Sequence, residues 1–356
     1  MTPYRAIEWK NDRLILLDQR LLPHQTVYVT LRDAAGVAEA IQNMTIRGAP
    51  AIGAAAAYGL ALEAVKPWPD ARTMQEGLKV SGTALIAARP TAINLAWAVN
   101  RVLAVNQNPV ITTPELLREK IVAEADAIAN QEIANNIQIG LNALELWPQE
   151  VTFLHHCNTG ALATVDYGTA LGVIRAAHEH GKKVFVYVDE TRPRLQGARL
   201  TAWELDQLGI PYKIIADGAS GYVMRNCGVT AVTVGCDRVA ANGDTANKIG
   251  TYNLAIVARA HQVPFYVVGP TSTVDLNTPN GAAIPIEERD PEEITKIGSQ
   301  WLAPSGAPAF NPAFDITPAE YITGIITEQG IAAPPFEQSL REMVEKAQRN
   351  PVANGE

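Results

Sequence analysis

After Trp147-Pro148 the chain changes its hydrophobic period: short apolar runs at 151–155, 184–188, 212–216, 231–234 and 265–268 alternate with helical stretches at 164–180, 195–208, 220–226 and 251–261. Runs of four or five apolar residues read as strands buried on both faces. Strands that alternate with helices build right-handed crossover units and a parallel sheet covered on both sides. The expected fold class is α/β, with a Rossmann-like parallel-sheet domain over residues 148–356. Before the switch, strands are expected at 7–9, 14–17 and 27–30. Helices follow from an Asp33 cap to about 44, then over 50–65, 91–105 and 114–146, so residues 1–147 form a mainly helical domain with short N-terminal strands. A chain of 356 residues exceeds the size at which one core keeps growing, which favours this two-domain reading.

Ligands of open parallel sheets sit beyond the carboxyl ends of the strands. The residues to inspect are therefore Cys157-Asn158-Thr159-Gly160, Asp189-Glu190, Asp217 to Gly221, Gly235-Cys236-Asp237 and Gly269-Pro270-Thr271. Neither a G-x-G-x-x-G fingerprint nor a phosphate-binding P-loop motif occurs, so a dinucleotide or ATP reading lacks its signature. A net charge of -8 and the absence of Lys/Arg runs argue against a nucleic-acid partner. An anionic substrate is then held by a few local cations and backbone N–H groups.

The first ten residues, Met1 to Lys10, carry charges where a signal peptide needs an apolar stretch, and a cytoplasmic protein is expected. The most apolar segment, 49–65, is Ala/Gly-rich and interrupted by Glu63, which reads as a buried helix rather than a membrane span. Three cysteines without C-x-x-C spacing fit reduced thiols and no zinc site, and Cys227 and Cys236 read as structural.

Two segments place a cation ahead of a helix. Arg47-Gly48-Ala49 precedes Pro50, and Arg89 precedes Pro90-Thr91. Each suits a phosphate, and each equally suits a tight turn or a surface arginine. Cys157 follows a strand and enters a helix, where free N–H groups favour thiolate; the alternative is a small buried hydrophobe. One of His155 and His156 is expected to face the interior. Asp189 to Gly197 mixes carboxylates, cations and an amide, so part of it must be a self-paired network. Gln196 stands out there because an amide both donates to and accepts from a sugar hydroxyl. Asp237 ends a buried strand, where low dielectric keeps a carboxyl protonated and able to donate; pairing with Arg238 or Arg192 is the alternative. Residues 242–248 then read as a polar loop into the next helix, which Lys248 opens as a phosphate cation or a solvent-facing lysine.

Taken in order, 45–53, Arg89-Pro90-Thr91, 156–164, 189–197, Gly235 to Arg238, Asn242-Gly243-Asp244, 247–251, 284–289 and 311–318 resemble the methylthioribose-1-phosphate isomerase family, over nearly the whole chain. The resemblance implies an aldose–ketose isomerase of methionine salvage that takes a sugar phosphate, needs no metal or organic cofactor, binds no membrane and forms a homodimer. It places Cys157 and Asp237 on catalytic positions, and Arg47, Gly48, Ala49, Arg89, Gln196, Asn247 and Lys248 on substrate contacts. The family also contains non-enzymatic alpha, beta and delta regulatory subunits of a eukaryotic guanine-nucleotide exchange factor for translation initiation, which as a rule lack the cysteine. Isomerases of ribose 1,5-bisphosphate or 5-deoxyribose 1-phosphate are the nearer alternatives.

Overall fold

The computed structural model describes residues 3–90, 92–105 and 111–349, so the expected helix start at Thr91 lies outside the described residues. Among the described residues two compact units emerge, one of residues up to 134 plus 160–168, the other of 135–159 and 169–349. This differs from a division at 147/148 in two places: the boundary falls inside a long helix, and nine residues after the first core strand belong to the N-terminal unit.

In the first unit, β1 (Ile7–Trp9), β2 (Leu14–Leu17) and β3 (Tyr28–Leu31) make an antiparallel sheet in that order. Helix α1 (Ala34–Gln42) begins where the sequence predicts, with the Asp33 carboxylate accepting the Gly36 N–H at 2.7 Å. Helix α2 (Ala49–Ala64) is buried at every position from Ala51 to Ala64, packed by α1, α3 (Ala71–Ala88) and α4 (Ile93–Ala104). Its small residues let backbones approach: a Cβ on Gly53 would stand 3.0 Å from the Asn94 carbonyl oxygen. Among the described residues no helix is long and apolar enough to cross a membrane. The sequence reading passed over α3, whose buried Met74, Leu78 and Leu85 are separated by Gly77, Ser81 and Gly82. Helix α5 (Pro114–Asn142) ends in a 3-10 turn at Leu144–Leu146.

The second unit holds β4 (Glu150–His155), α6 (Ala170–Glu179), β5 (Lys183–Asp189), α7 (Ala202–Leu208), β6 (Tyr212–Ile215), α8 (Ser220–Asn226) and β7 (Ala231–Val234). Then come β8 (Arg238–Ala240), β9 (Thr245–Lys248), α9 (Thr251–Ala260), β10 (Phe265–Val268) and β11 (Val274–Asp275). The chain closes with α10 (Glu292–Thr295), β12 (Lys296–Ile297), β13 (Gln300–Trp301), β14 (Phe314–Thr317), β15 (Gly324–Thr327), β16 (Gly330–Ala332) and α11 (Phe336–Arg349).

The main sheet has seven strands in the order β16-β15-β10-β7-β4-β5-β6, all parallel except the antiparallel edge strand β16. From β4 the order runs outward to β5 and β6, then restarts at β7 on the other side and runs to β10 and β15. This is the doubly wound strand order, and β4 and β7 flank the point where it reverses. Alternation along each strand feeds two cores: Phe153, Ala231, Val268 and Ile326 point to one, while Leu154, Val232, Val267 and Ile325 point to the other.

Three sequence expectations change here. The helix expected from 164 begins at Ala170, because 160–168 departs to the first unit and is pinched at its base by the Thr169 N–H donating to the Thr159 carbonyl at 2.8 Å. The helix expected from 195 opens with a π-helical turn at Gly197–Thr201 before α7. The polar loop expected after Asp237 is a β8–β9 hairpin closed by Ala241-Asn242-Gly243, and it joins a second sheet ordered β11-β8-β9-β14.

Phe153 is fully buried and meets the Trp147 ring edge-on at 5.0 Å. Phe153→Ala is expected to cost about 3–5 kcal/mol. Urea unfolding should show this as a lowered midpoint with an unchanged slope.

Candidate functional site

Cys157 and Asp237 leave neighbouring strands on the two sides of the strand-order reversal. Strands β4 and β7 pair in parallel at Phe153↔Ala231, Leu154↔Val232 and His155↔Thr233, so both residues emerge at the carboxyl edge of one strand pair. Cys157 is buried and has φ +68°, a left-handed conformation that costs a non-glycine residue of order 1–3 kcal/mol. Its peptide is held at both ends. The Cys157 N–H donates to Thr191 Oγ1 at 2.8 Å, and Thr201 Oγ1 donates to the Cys157 carbonyl at 2.6 Å. Thr191 Oγ1 in turn donates to the Asp189 carbonyl, while buried Asn158 donates to Thr201 Oγ1 at 3.2 Å and to Glu204 at 2.7 Å. The helix N-terminus expected beyond Cys157 is a single 3-10 turn, Ala161–Ala163. The turn is therefore fixed by side chains rather than by a helix.

Asp237 precedes β8, and its N–H donates to the Ala246 carbonyl of β9 at 2.9 Å. Its side chain is exposed, which departs from the low-dielectric setting expected of an acid ending a buried strand. The strand β7 is buried throughout, but the chain steps out of the sheet at Gly235-Cys236 before reaching the carboxyl. Half-buried Cys236 has its thiol pushed up to about 12, by desolvation first, which suits the structural role expected of it.

Asn247 and Lys248 end β9 and are followed by Gly250, the residue before α9, so they lie on a strand end rather than in a loop. Buried Asn247 donates to Thr251 Oγ1 at 3.0 Å. Lys248 Nζ donates to the Ala313 carbonyl at 2.9 Å and sits 4.3 Å above the Phe314 ring centre, which fixes a cation that would otherwise sweep through solvent. Gln196 is buried, and its Oε1 has no hydrogen-bond partner among the described residues. A buried amide oxygen without a donor costs about 1–3 kcal/mol, which leaves this acceptor open to a donor from outside the protein.

In the first unit, Arg47, Gly48 and Ala49 stand at the start of α2, which begins at Ala49 rather than at Pro50. Gly48 has φ +99°, and a Cβ there would fall 2.2 Å from the Ala163 carbonyl oxygen, so only glycine fits. No side chain caps α2, which leaves its first-turn N–H groups to other acceptors. Arg89 is the C-cap of α3, with its N–H donating to the Ile86 carbonyl, and so it ends a helix rather than opening one.

Both histidines before Cys157 are buried, and their surroundings shift them in opposite directions. His155 lies between Thr233 Oγ1 at 3.1 Å and Thr159 Oγ1 at 3.2 Å, and desolvation followed by repulsion from His156 pushes it down to about 3. His156 Nε2 faces the Ile249 carbonyl at 2.9 Å, which can only accept, and Nδ1 faces Asp189 Oδ2 at 3.0 Å. Burial opposes a charged ring, but the Asp189 hydrogen bond and the charges of Asp189 and Asp217 outweigh it and raise His156 above its ordinary value. Burial pushes Asp189 up as well, so the pair binds a proton tightly. We place that proton on the ring, because Asp217 also faces it and the Nε2–H is already donated. Sequence reasoning left this pair unassigned; its signal was His156 and Asp189 at the ends of adjacent strands.

Among the described residues, His156, Asp189 and Asp217 form the cluster whose potential metal-ligand atoms lie within 4.8 Å of one another. Both ring nitrogens of His156 have protein partners, and the Asp217 oxygens accept the Thr191 and Arg192 N–H groups at 2.7 and 2.8 Å. Their arrangement is that of a self-satisfied hydrogen-bond network.

The model of the Initiation factor 2 subunit family matches residues 45–334. The chain is 56% identical to methylthioribose-1-phosphate isomerase 2 of Pseudothermotoga lettingae, over 98% of its own length and 100% of that relative's. It is also similar to the crystal structure of 5-methylthioribose 1-phosphate isomerase from Pyrococcus horikoshii, with TM-score 0.93, 44% identity and 97% of both chains covered. A structure of the translation initiation factor eIF-2B subunit delta from A. fulgidus superposes with TM-score 0.88 at 40% identity, covering 96% of this chain and 99% of that one.

The His156 shift carries a pH signature. Because its folded value is raised, its contribution to stability is complete below about pH 6.5 and is lost as pH climbs through the folded value. The stability gap between the native protein and His156→Gln should therefore be widest in mild acid and narrow toward alkaline pH, read by urea unfolding across a pH series. A gap that widens with pH contradicts the assignment.

Proposed function

The chain belongs to the Initiation factor 2 subunit family, and from that membership we propose that it isomerises 5-methylthioribose 1-phosphate to 5-methylthioribulose 1-phosphate, with Asp237 as acid and Cys157 as base. The observation that carries the reading is the β4–β7 pairing, which brings a thiol in a strained, side-chain-held turn and a carboxyl to one strand-pair edge. The isomerase names of near-full-length relatives support the reaction class.

A sugar whose anomeric oxygen is esterified cannot open as a free aldose does. In the proposed cycle Cys157, as thiolate, removes the C2 proton while the bond between C1 and the ring oxygen breaks, and Asp237 delivers its proton to that oxygen. The resulting cis-phosphoenol keeps the phosphate on C1. Cys157 then returns its proton to C1, and Asp237 recovers a proton from the C2 hydroxyl as the ketone forms. Each group ends as it began.

Substrate binding is proposed to displace water from Asp237 and to bring a phosphate whose negative charge favours the protonated acid. Lys248 and Asn247, together with Arg47, Gly48, Ala49 and Arg89, are proposed to take the phosphate and sugar oxygens, and the open Gln196 acceptor to take a hydroxyl. The working form is proposed to be a cytoplasmic homodimer, which light scattering in solution tests.

Asp237→Asn and Cys157→Ser should each lower kcat by about 10²–10⁴-fold with circular dichroism unchanged. Gln196→Ala should raise KM more than it lowers kcat. Unchanged kcat in both of the first two variants sinks the assignment. Turnover of methylthioribose 1-phosphate, ribose 1,5-bisphosphate and 5-deoxyribose 1-phosphate, compared by NMR, decides the 5-substituent. The similarity to the A. fulgidus translation-factor structure supports a second, regulatory reading; it predicts no turnover of any of the three.

A further inference from the structure

We propose that His156 is a positioning residue for Cys157, a fixed cationic strut that locks the thiol-bearing turn to the two chain segments carrying Thr191 and Lys248. The inference rests on the reading of Cys157 as the base and deepens it.

Three segments meet at one ring. His156 is the residue before Cys157 and directly follows β4. Its Nδ1 binds Asp189, the last residue of β5, whose own carbonyl accepts the Thr191 hydroxyl that receives the Cys157 N–H. Its Nε2 donates to Ile249, the residue directly after Asn247-Lys248. One imidazole thus spans from the turn that holds the thiol to the strand end that holds the lysine, and it is 1% exposed. The fit around it is close, since a Cβ on the adjoining Gly250 would stand 2.9 Å from His156 Cε1.

The ring's partners match its protonated form. The Ile249 carbonyl takes the Nε2–H, and with Asp189 ionised Nδ1 donates as well, which only the imidazolium does. The groups facing it are Asp189 from β5, Asp217 after β6, Asp315 from β14 and neutral His155 on its own strand. Asp315 is tied down by accepting the N–H groups of Gly250 and Tyr252 at 2.8 and 3.1 Å, and Asp217 by those of Thr191 and Arg192. Removal of the ring's charge leaves these carboxylates uncompensated beside the Cys157 peptide. With Asp189 still ionised, that disfavours a thiolate there. Neither His156 nor Asp189 needs to touch the substrate for this.

The test uses the full-length protein and two readouts. First, the rate of Cys157 carbamidomethylation by iodoacetamide is followed against pH, resolved from Cys227 and Cys236 by peptide mass spectrometry, in native protein and His156→Gln. The expected result is an apparent pKa about one unit or more higher in the variant, with kcat lowered at least tenfold and KM changed less. Overlapping profiles with unchanged kcat overturn the proposal. Second, histidine-selective 15N NMR of the native protein should show His156 with both nitrogens protonated near neutral pH; a neutral tautomer overturns the proposal, and this readout stands even if the variant fails to fold. Because the alkylation and NMR readouts need no turnover, they separate failure of this proposal from failure of the isomerase reading, which shows as native protein inactive on every sugar phosphate tried.

Discussion

The parallel pairing of β4 with β7 is the constraint on which the rest of the site depends. These strands are about 4.8 Å apart but separated in the chain by three crossover connections, through α6, α7 and α8, and they flank the point where the strand order reverses. At that point α6, which follows β4, and α9, which follows β7, pack into different cores, and the chain leaves both strands as irregular backbone. Cys157 and Asp237, the side chains proposed to react, lie on those two exits. The apolar residues beneath them are fully buried in two cores, which gives the edge a rigid base.

Above that base the geometry is set by polar contacts. Cys157 sits at a positive φ that its own residue type resists, and Thr191 and Thr201 hold the two ends of its peptide. Both threonines are fully buried, and Asp189, Asn158 and Glu204 satisfy the same network from below. A half-satisfied network of this kind costs more than an apolar core, so its completeness is what allows the strain to persist. The second sheet does the same for Asn247 and Lys248, pairing them with Asp315 and Phe314 of β14.

Much of this was legible in the sequence. Strands 231–234 and 265–268 are bounded by turn residues and read at their true ends, and the doubly wound architecture follows from their alternation with helices. What escaped did so for physical reasons. Helix α3 hides because glycine and serine dilute its apolar stripe, and missing it made Arg89 look like a helix entry. The β8–β9 hairpin carried a readable signal in Asn242-Gly243 between Val239-Ala240 and Thr245-Ala246, but its polar residues resembled a loop. The departure of 160–168 to the other unit leaves no mark in a hydrophobic period, and neither does the exposure of Asp237, which depends on where the chain turns after Gly235. The family motifs pointed to residues whose placement no local pattern explains, with the open acceptor on Gln196 as the clearest instance.

The central claim is that protons, not a hydride, move between C2 and C1, carried by the thiol at the reversal point. Turnover of methylthioribose 1-phosphate in deuterium oxide, with product C1 read by NMR, tests it most directly. The account predicts deuterium at C1 of the ketose phosphate; a product formed at full rate with none at C1 contradicts it.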